Sequence, residues 1–228
     1  MKISVVMATL NAARFLAEAL DSIAAQTRPI DEIVIVDGGS TDDTLAIASR
    51  YPNVRFAAQS GRGLPDAWNC GLATATGDTI AFLDSDDRWT PSKLQIQSDL
   101  LKTDPSVQAV VGHVRFFLET GAACPRSFKP ELLQGTYPAP MPGALLIRRE
   151  ALGRVGLFDT RFPVACDIDW FARLRDLQIK LVTLPDLLIH KRVHQGNLSL
   201  ATASQPTYSK ELVQLLFEKH RRLAAQQP

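Results

Sequence analysis

Short apolar runs alternate along the chain with segments in which apolar residues return every three or four positions. Residues 3–8 form the first run, and after Asn11 the set Phe15, Leu16, Ala19, Leu20 and Ile23 keeps helical period. A β-branched run at 33–36 ends in Asp37, Gly38, Gly39 and Ser40, and Ser40 with Asp43 is suited to cap a helix reaching about residue 49. A weaker strand at 54–57, a helix at 66–75, a strand at 79–83 and a helix opened by Thr90 and Pro91 continue the alternation to about residue 102. This order predicts an α/β fold with a parallel sheet covered by helices.

Beyond Pro105 the rhythm changes. A strand is predicted at 109–118, but residues 121–142 hold five prolines and little periodicity, which predicts a loop-rich stretch over one face. A strand at 144–147, a helix from about 149, a helix at 167–177 and a pair of strands around Leu181 and Leu188 follow, appended to the same sheet. Residues 195–206 are polar and predict a mobile loop, before a terminal helix at 208–225. That helix is amphipathic with a basic end, which favours packing on the body or on a second subunit, as in a homodimer, over peripheral membrane contact.

Composition narrows the class. With 228 residues and 46% hydrophobic content the chain can bury a substantial core, and a net charge of +1 leaves no footprint for nucleic acid. Cys70, Cys124 and Cys166 are odd in number and widely spaced, which argues against a disulfide framework or a zinc site and for a reducing compartment. No apolar run has the character of a signal peptide or the length of a membrane span, so the expected location is cytoplasmic.

The densest chemistry lies at Asp84, Ser85, Asp86 and Asp87, directly after the apolar run 79–83. Open α/β sheets bind ligands at the carboxyl ends of their strands. Three carboxylates in four residues repel one another, and a cation or a cation-bound phosphate among them would relieve the repulsion. An acidic turn capping the helix that starts near Pro91 accounts for the same residues, and spacing alone leaves both readings open.

Four segments break the tie. They are Val5-Val6-Met7-Ala8-Thr9-Leu10-Asn11; Ile35-Val36-Asp37-Gly38-Gly39-Ser40-Thr41-Asp42; the stretch from Gly77 to Asp87; and Gly156-Leu157-Phe158-Asp159 followed by Asp167-Ile168-Asp169-Trp170. In this order they resemble a family 2 glycosyltransferase of the GT-A fold, over residues 3 to about 200. The resemblance implies a Rossmann-like, mainly parallel sheet flanked by helices with a smaller appended acceptor-side part. It also implies a nucleotide-sugar-binding half at 1–103, an acceptor-side and catalytic-base half of the same domain at 104–206, and a C-terminal helix at 207–228. The implied reaction is inverting and metal-dependent, moving a hexose or N-acetylhexosamine from a UDP-sugar to a hydroxyl of a glycan, lipid-linked sugar or peptide.

Each matched residue has a role under this resemblance. Asp37 can accept a hydrogen bond from the imide N–H of uracil, which cytosine lacks; helix capping is its competing role, one for which Ser40 is better placed. Thr9, Leu10 and Asn11 would line the same pocket chiefly through backbone, and Asn11 is equally suited to cap the first helix. Residues 61–69 resemble the segment closing the nucleotide pocket. There Arg62 either reaches a phosphate or lies solvated, while Asp66 and Asn69 share a helical face toward the donor and Asp66 is also a candidate cap. The resemblance implies Mn²⁺ or Mg²⁺ on Asp86, Asp84 near ribose or metal, Ser85 beside them and Asp87 holding neighbouring backbone. His194, after Lys191, Arg192 and Val193, is implied as a further member of the metal site with Asp86 and Asp84, beside the diphosphate.

Asp167 is implied as the general base that takes the proton of the acceptor hydroxyl, with an N-cap as its alternative role. Cys166 stands where the family usually has Glu, which puts the local acceptor contacts in doubt. Asp169 should point elsewhere on the helix, and Trp170 is either an acceptor platform or core. Two rivals use related parts: a nucleotidyltransferase, which needs no base at Asp167, and a catalytically silent sugar-nucleotide-binding protein. A dinucleotide-dependent dehydrogenase is disfavoured because Thr9-Leu10-Asn11 replaces the glycine-rich first turn.

Overall fold

The computed structural model describes residues 1–198 together with residues 200 and 214. Strands β1 (Ile3–Thr9), β2 (Glu32–Asp37), β3 (Val54–Ala58) and β4 (Thr79–Phe82) alternate with helices α1 (Leu16–Ala24), α2 (Thr44–Ala48) and α3 (Leu64–Thr74). Then follow a short β5 (Arg88–Trp89), α4 (Lys93–Thr103), β6 (Ala109–Phe117), a short β7 (Tyr137–Pro138), β8 (Leu146–Arg148), α5 (Arg149–Val155), α6 (Cys166–Asp176) and β9 (Leu181–Arg192). All strands join one sheet in the order β3-β2-β1-β4-β8-β6-β9-β5, with β7 paired to β6.

The first four strands pair in parallel, as their continuous apolar runs predict. The second half departs from that pattern. β8 lies antiparallel to both β4 and β6, so the sheet is mixed. The cause is the connection: β8 arrives from the proline-rich stretch after β6 with no crossover helix between them, and an antiparallel neighbour needs none. The sheet thus runs without a break from the first half of the chain into the second.

The two strands expected around Leu181 and Leu188 are one, β9, and its register on β6 slips between Val111 and Val114. Pro185 has no N–H to give the ladder there, and opposite the slip Gly112 leaves room that a Cβ would take from the Leu188 side chain. The helix expected from Pro91 begins at Lys93, and the short β5, too brief to show a period, was not predicted.

Buried apolar residues of β1, β2 and β4, with Val5, Val6, Ile35 and Ile80 at 0% exposure, form the centre of the core. Gly71 lets α3 lie directly on β1 and β2, because a Cβ there would collide with the Val6 side chain. An aromatic group closes the seam between the halves. Trp68 meets Phe158 at 4.8 Å, Phe158 stacks on Trp170 at 5.4 Å, and Phe82 stands edge-on to Phe158 at 5.7 Å. Trp170, fully buried with its indole N–H donating to the Gly156 carbonyl, is core and not a platform. No helix of the described residues is long and apolar enough to cross a membrane. The expected helix at 208–225 and most of the loop at 195–206 lie outside the described residues.

Candidate active site

The acidic turn leaves β4 at the sheet's centre, and its three carboxylates are divided among different partners. Asp87 is fully buried: it accepts from Lys191 Nζ at 2.8 Å and from the Arg192 backbone N–H at 2.9 Å. Asp84 accepts from the same Lys191 ammonium at 3.1 Å. Asp86 Oδ2 meets His194 Nε2 at 2.9 Å and the Asn197 amide at 3.0 Å, while no hydrogen bond reaches its Oδ1 among the described residues. Burial pushes the Asp87 carboxyl up, to about 7, against the pull of Lys191; burial would lower Lys191, but Asp87, Asp84 and Asp86 hold it well above its ordinary value.

Asp37 organises its own loop. Its Oδ1 accepts from Thr9 Oγ1 at 2.9 Å and Ser40 Oγ at 2.6 Å, and its Oδ2 from the backbone N–H groups of Gly39 and Ser40. Burial raises this carboxyl, but the hydrogen bonds from Ser40, Thr9 and Gly39 outweigh it and hold it below the usual range. Ser40 therefore does not cap α2. Asp42, which accepts from the Thr44 N–H at 3.0 Å and the Ala13 N–H at 3.0 Å, holds that helix start instead. Asn11 is no cap of α1 either. At φ 48° it turns its side chain to the Thr41 N–H at 2.9 Å, tying the first loop to the second.

In the 61–69 segment, Asp66 accepts from the Gly61 N–H at 2.7 Å and Ser60 Oγ at 3.2 Å, so it shapes the turn that exposes Arg62. Asn69 does not face a donor. Its amide donates to the Phe158 carbonyl at 2.8 Å and its Oδ1 accepts from the Phe158 N–H at 2.9 Å. Both of its polar groups are occupied by backbone of the second half, a pairing across 89 positions that helical spacing cannot reveal.

Asp167 lies in the first turn of α6, whose N-cap is Ala165, so it does not cap the helix. It is half-buried, and among the described residues it accepts from the Ile168 N–H at 2.8 Å. Burial raises its carboxyl above the ordinary range, and the charge of Asp84 adds to the effect. Asp169 turns away to Arg173 at 2.8 Å and is buried.

One cleft of about 740 Å³ gathers Leu10, Asn11, Asp84, Ser85, Asp86, Lys191, His194, Cys166 and Asp167 on its lining. Thr9, Asp37, Arg62, Asp66 and Asn69 lie off that lining, the first two paired at the ends of β1 and β2, beside the loop that carries Leu10 and Asn11. Lys191, Arg192 and Asn197 were not singled out from the sequence. Two cations at the end of an apolar strand were the available signal, but their partners lie over a hundred positions away.

Carboxylates at the carboxyl end of the central strand β4 share one cleft with a further carboxylate on α6, at the place where open α/β sheets bind ligands, an arrangement that fits a transferase acting on a nucleotide-linked substrate. Comparison with known proteins agrees. The profile of Glycosyl transferase family 2 matches residues 4–156. An uncharacterised glycosyltransferase of Nostoc sp. is 32% identical over 90% of this chain and 68% of its own length. A PGL/p-HBAD biosynthesis glycosyltransferase of Mycobacterium tuberculosis is 45% identical over a shorter match, 37% of this chain and 35% of its own. Among solved structures, S. aureus TarS 1-349 in complex with UDP-GlcNAc superposes with a TM-score of 0.72 at 21% identity, over 96% of this chain and 66% of that one. The mannosyltransferase PcManGT of Pyrobaculum calidifontis, in complex with GDP-Man and Mn²⁺, gives 0.70 at 26%, over 96% and 64%. The chain belongs to glycosyl transferase family 2 and is a glycosyltransferase of the GT-A fold.

Proposed function

We propose that the chain transfers a hexosyl or N-acetylhexosaminyl group from a UDP-sugar to an acceptor hydroxyl, with inversion at the anomeric carbon and with help from a divalent metal. The observation that carries this reading is the meeting of Asp84, Asp86, His194 and Asp167 on one cleft. Asp86 and Asp84 are the metal-side carboxylates, His194 their neighbour, and Asp167 the base.

The residues fit a metal. Asp84, Asp86 and Asp87 bring ligand atoms within 4.8 Å of one another, and among the described residues Lys191 is the one ammonium that bonds them, which leaves carboxylate charge for a cation to offset. Asp86 and Asp84 face the cleft while Asp87 is buried, matching a hard cation that takes one or two protein carboxylates and completes its shell with phosphate oxygens. When bound, Mn²⁺ or Mg²⁺ would neutralise charge on the departing nucleoside diphosphate.

The chain's own groups do the rest. The loop held by Asp37, Thr9, Ser40 and Asn11 presents Leu10 and Asn11 to the nucleotide, and Asp37 stays ionised as an acceptor for a base N–H. Its four hydrogen bonds already fill the lone-pair sites of a carboxylate, so an imide N–H would replace the Ser40 hydroxyl. Guanine also offers ring N–H donors, so uracil is proposed on the family resemblance, and GDP-mannose is the competing donor. Arg62, on its exposed turn, is the phosphate contact from the 61–69 segment, and Asp66 sets that turn. Asp167, with its carboxyl raised toward the working range by burial, takes the acceptor proton as the hydroxyl attacks.

The testing experiment is a panel of UDP-sugars and GDP-mannose offered with glycan, lipid-linked sugar and peptide acceptors and read by mass spectrometry, with Asp167→Asn as the blank. Transfer from a UDP-sugar that vanishes in the blank is the expected result. Nucleotidyl transfer, or binding without any transfer, would favour the rival readings.

A further inference from the structure

We infer that Arg192 is a positioning residue that sets the acidic turn for metal and nucleotide, an inference resting on the reading above. It is 2% exposed, yet it reaches three separate parts of the molecule, the acidic turn, the end of β6 and the start of α1. Its Nε donates to the main-chain carbonyl of Asp86 at 3.0 Å, and its own backbone N–H is held by Asp87 Oδ1 at 2.9 Å. The strand end β9 is thereby joined to the acidic turn at two successive residues. One guanidinium nitrogen donates to Glu119 Oε1 at 2.9 Å and the other to Glu18 Oε2 at 2.8 Å. The guanidinium carbon sits 4.4 Å from the Phe15 ring centre and 4.8 Å from that of Phe117.

This arrangement uses what a guanidinium has and an ammonium lacks. A planar fork can satisfy a carbonyl and two carboxylates at once while its faces contact aromatic rings. The same group also places His194, because the Phe15 ring that Arg192 contacts lies 5.0 Å from the His194 imidazole, and His194 bonds Asp86 Oδ2. Asp86 is therefore held from its carbonyl by Arg192 directly, and its carboxylate is aimed by a histidine packed on a ring that Arg192 braces. Glu18 and Glu119 neutralise the buried cation, and Arg88 and Arg14 contact those carboxylates from outside at 3.2 and 2.6 Å. Arg192 itself is absent from the cleft lining, so its influence passes through Asp86 and His194.

The test compares Arg192→Lys with Glu119→Gln by calorimetric titration of UDP at a series of Mn²⁺ concentrations, with thermal melting alongside. Arg192→Lys keeps a charge but gives up the fork; Glu119→Gln loosens one outer partner and leaves the bond to the Asp86 carbonyl in place. The expected result is that Arg192→Lys raises the Mn²⁺ concentration needed for half-maximal UDP binding about tenfold, roughly 1.4 kcal/mol, while Glu119→Gln lowers the melting temperature with that concentration unchanged. An equal shift in both variants, or a melting change alone in Arg192→Lys, would overturn the inference, since either outcome describes general loosening. Failure of the wild type to bind UDP would remove the reading beneath it and the inference with it. Wild-type UDP binding that ignores Mn²⁺ would also overturn the inference, but would leave sugar transfer to be judged by the assay above.

Discussion

Asn69 and Phe158 are joined by two opposed hydrogen bonds, side-chain amide to carbonyl at 2.8 Å and backbone N–H to side-chain oxygen at 2.9 Å. They fasten α3 to the segment that leads into α6, where Asp167 stands. Truncating Asn69 to Ala leaves both Phe158 groups short of a partner, a loss of about 2 kcal/mol and a fall of roughly 4 to 8 °C in melting temperature. Because the strut bears on the proposed base and not on the loop proposed to hold the nucleotide, kcat should fall more than donor KM rises. A donor KM effect without a kcat effect would contradict this role.

Glu32 accepts from Ser4 Oγ, the Thr76 N–H and hydroxyl, and Arg55, and these bonds outweigh its burial to hold the carboxyl at about 2 instead of 4.5. The folded state therefore prefers the ionised form, and the stability this confers, roughly 2 to 3 kcal/mol, is present above pH ~4.5 and is lost as pH falls toward about 2. Denaturant midpoints between pH 3 and 7 should decline steeply with acid in the wild type and more shallowly in Glu32→Gln. Parallel profiles would show that Glu32 is not the group responsible.

Asp167 shifts the other way. Its folded-state carboxyl is raised by burial, so if Asp167 is the base proposed above its ionised form is lost at a higher pH than for an exposed aspartate, and the acid limb of kcat should lie above 3.8. For a raised carboxyl the sign of the stability effect reverses. Above both pKa values the folded protein carries a buried charge that the unfolded chain solvates freely, so Asp167→Asn should melt higher than wild type at pH 7 and lose that advantage in acid. A variant that melts lower at neutral pH would count against a raised carboxyl.

Asp86 and Asp87 are neighbours with opposite expected phenotypes. Asp86→Asn changes the cleft-facing carboxylate proposed to hold the metal and should abolish the gain in UDP affinity expected from Mn²⁺, with melting close to wild type. Asp87→Ala removes the fully buried carboxylate and strips the part-buried Lys191 of its shorter contact, and should cost on the order of 3 kcal/mol in stability. Chelation of the wild type should reproduce the first result. UDP binding indifferent to chelator would remove the metal from the account.

Much of this was legible in the sequence because it depends on local pattern. The four parallel strands announced themselves as apolar runs, and Asp84 to Asp87 stood at the end of one of them. What pattern could not supply was pairing at a distance. Asn11 looked like a helix cap by type and spacing, yet Thr41, brought beside it by the pairing of β1 with β2, takes its side-chain oxygen, and Ser40, which also looked like a cap, bonds Asp37 three residues before it and accepts the Asn11 N–H from across the pairing. Asn69 looked like a donor contact from its helical face, and tertiary packing gives it to Phe158. β9 looked like two strands because Pro185 interrupts the period, while the β6 ladder continues on both sides of it.

The most direct measurement of the central claim, that the acidic turn and Asp167 form one transfer site, is single-turnover transfer from a UDP-sugar by wild type and Asp167→Asn, with UDP-sugar affinity determined on the same samples. The account predicts that the variant binds the donor as tightly as wild type and transfers at least 100-fold more slowly, within the range a general base contributes. Transfer at the wild-type rate by Asp167→Asn would contradict it.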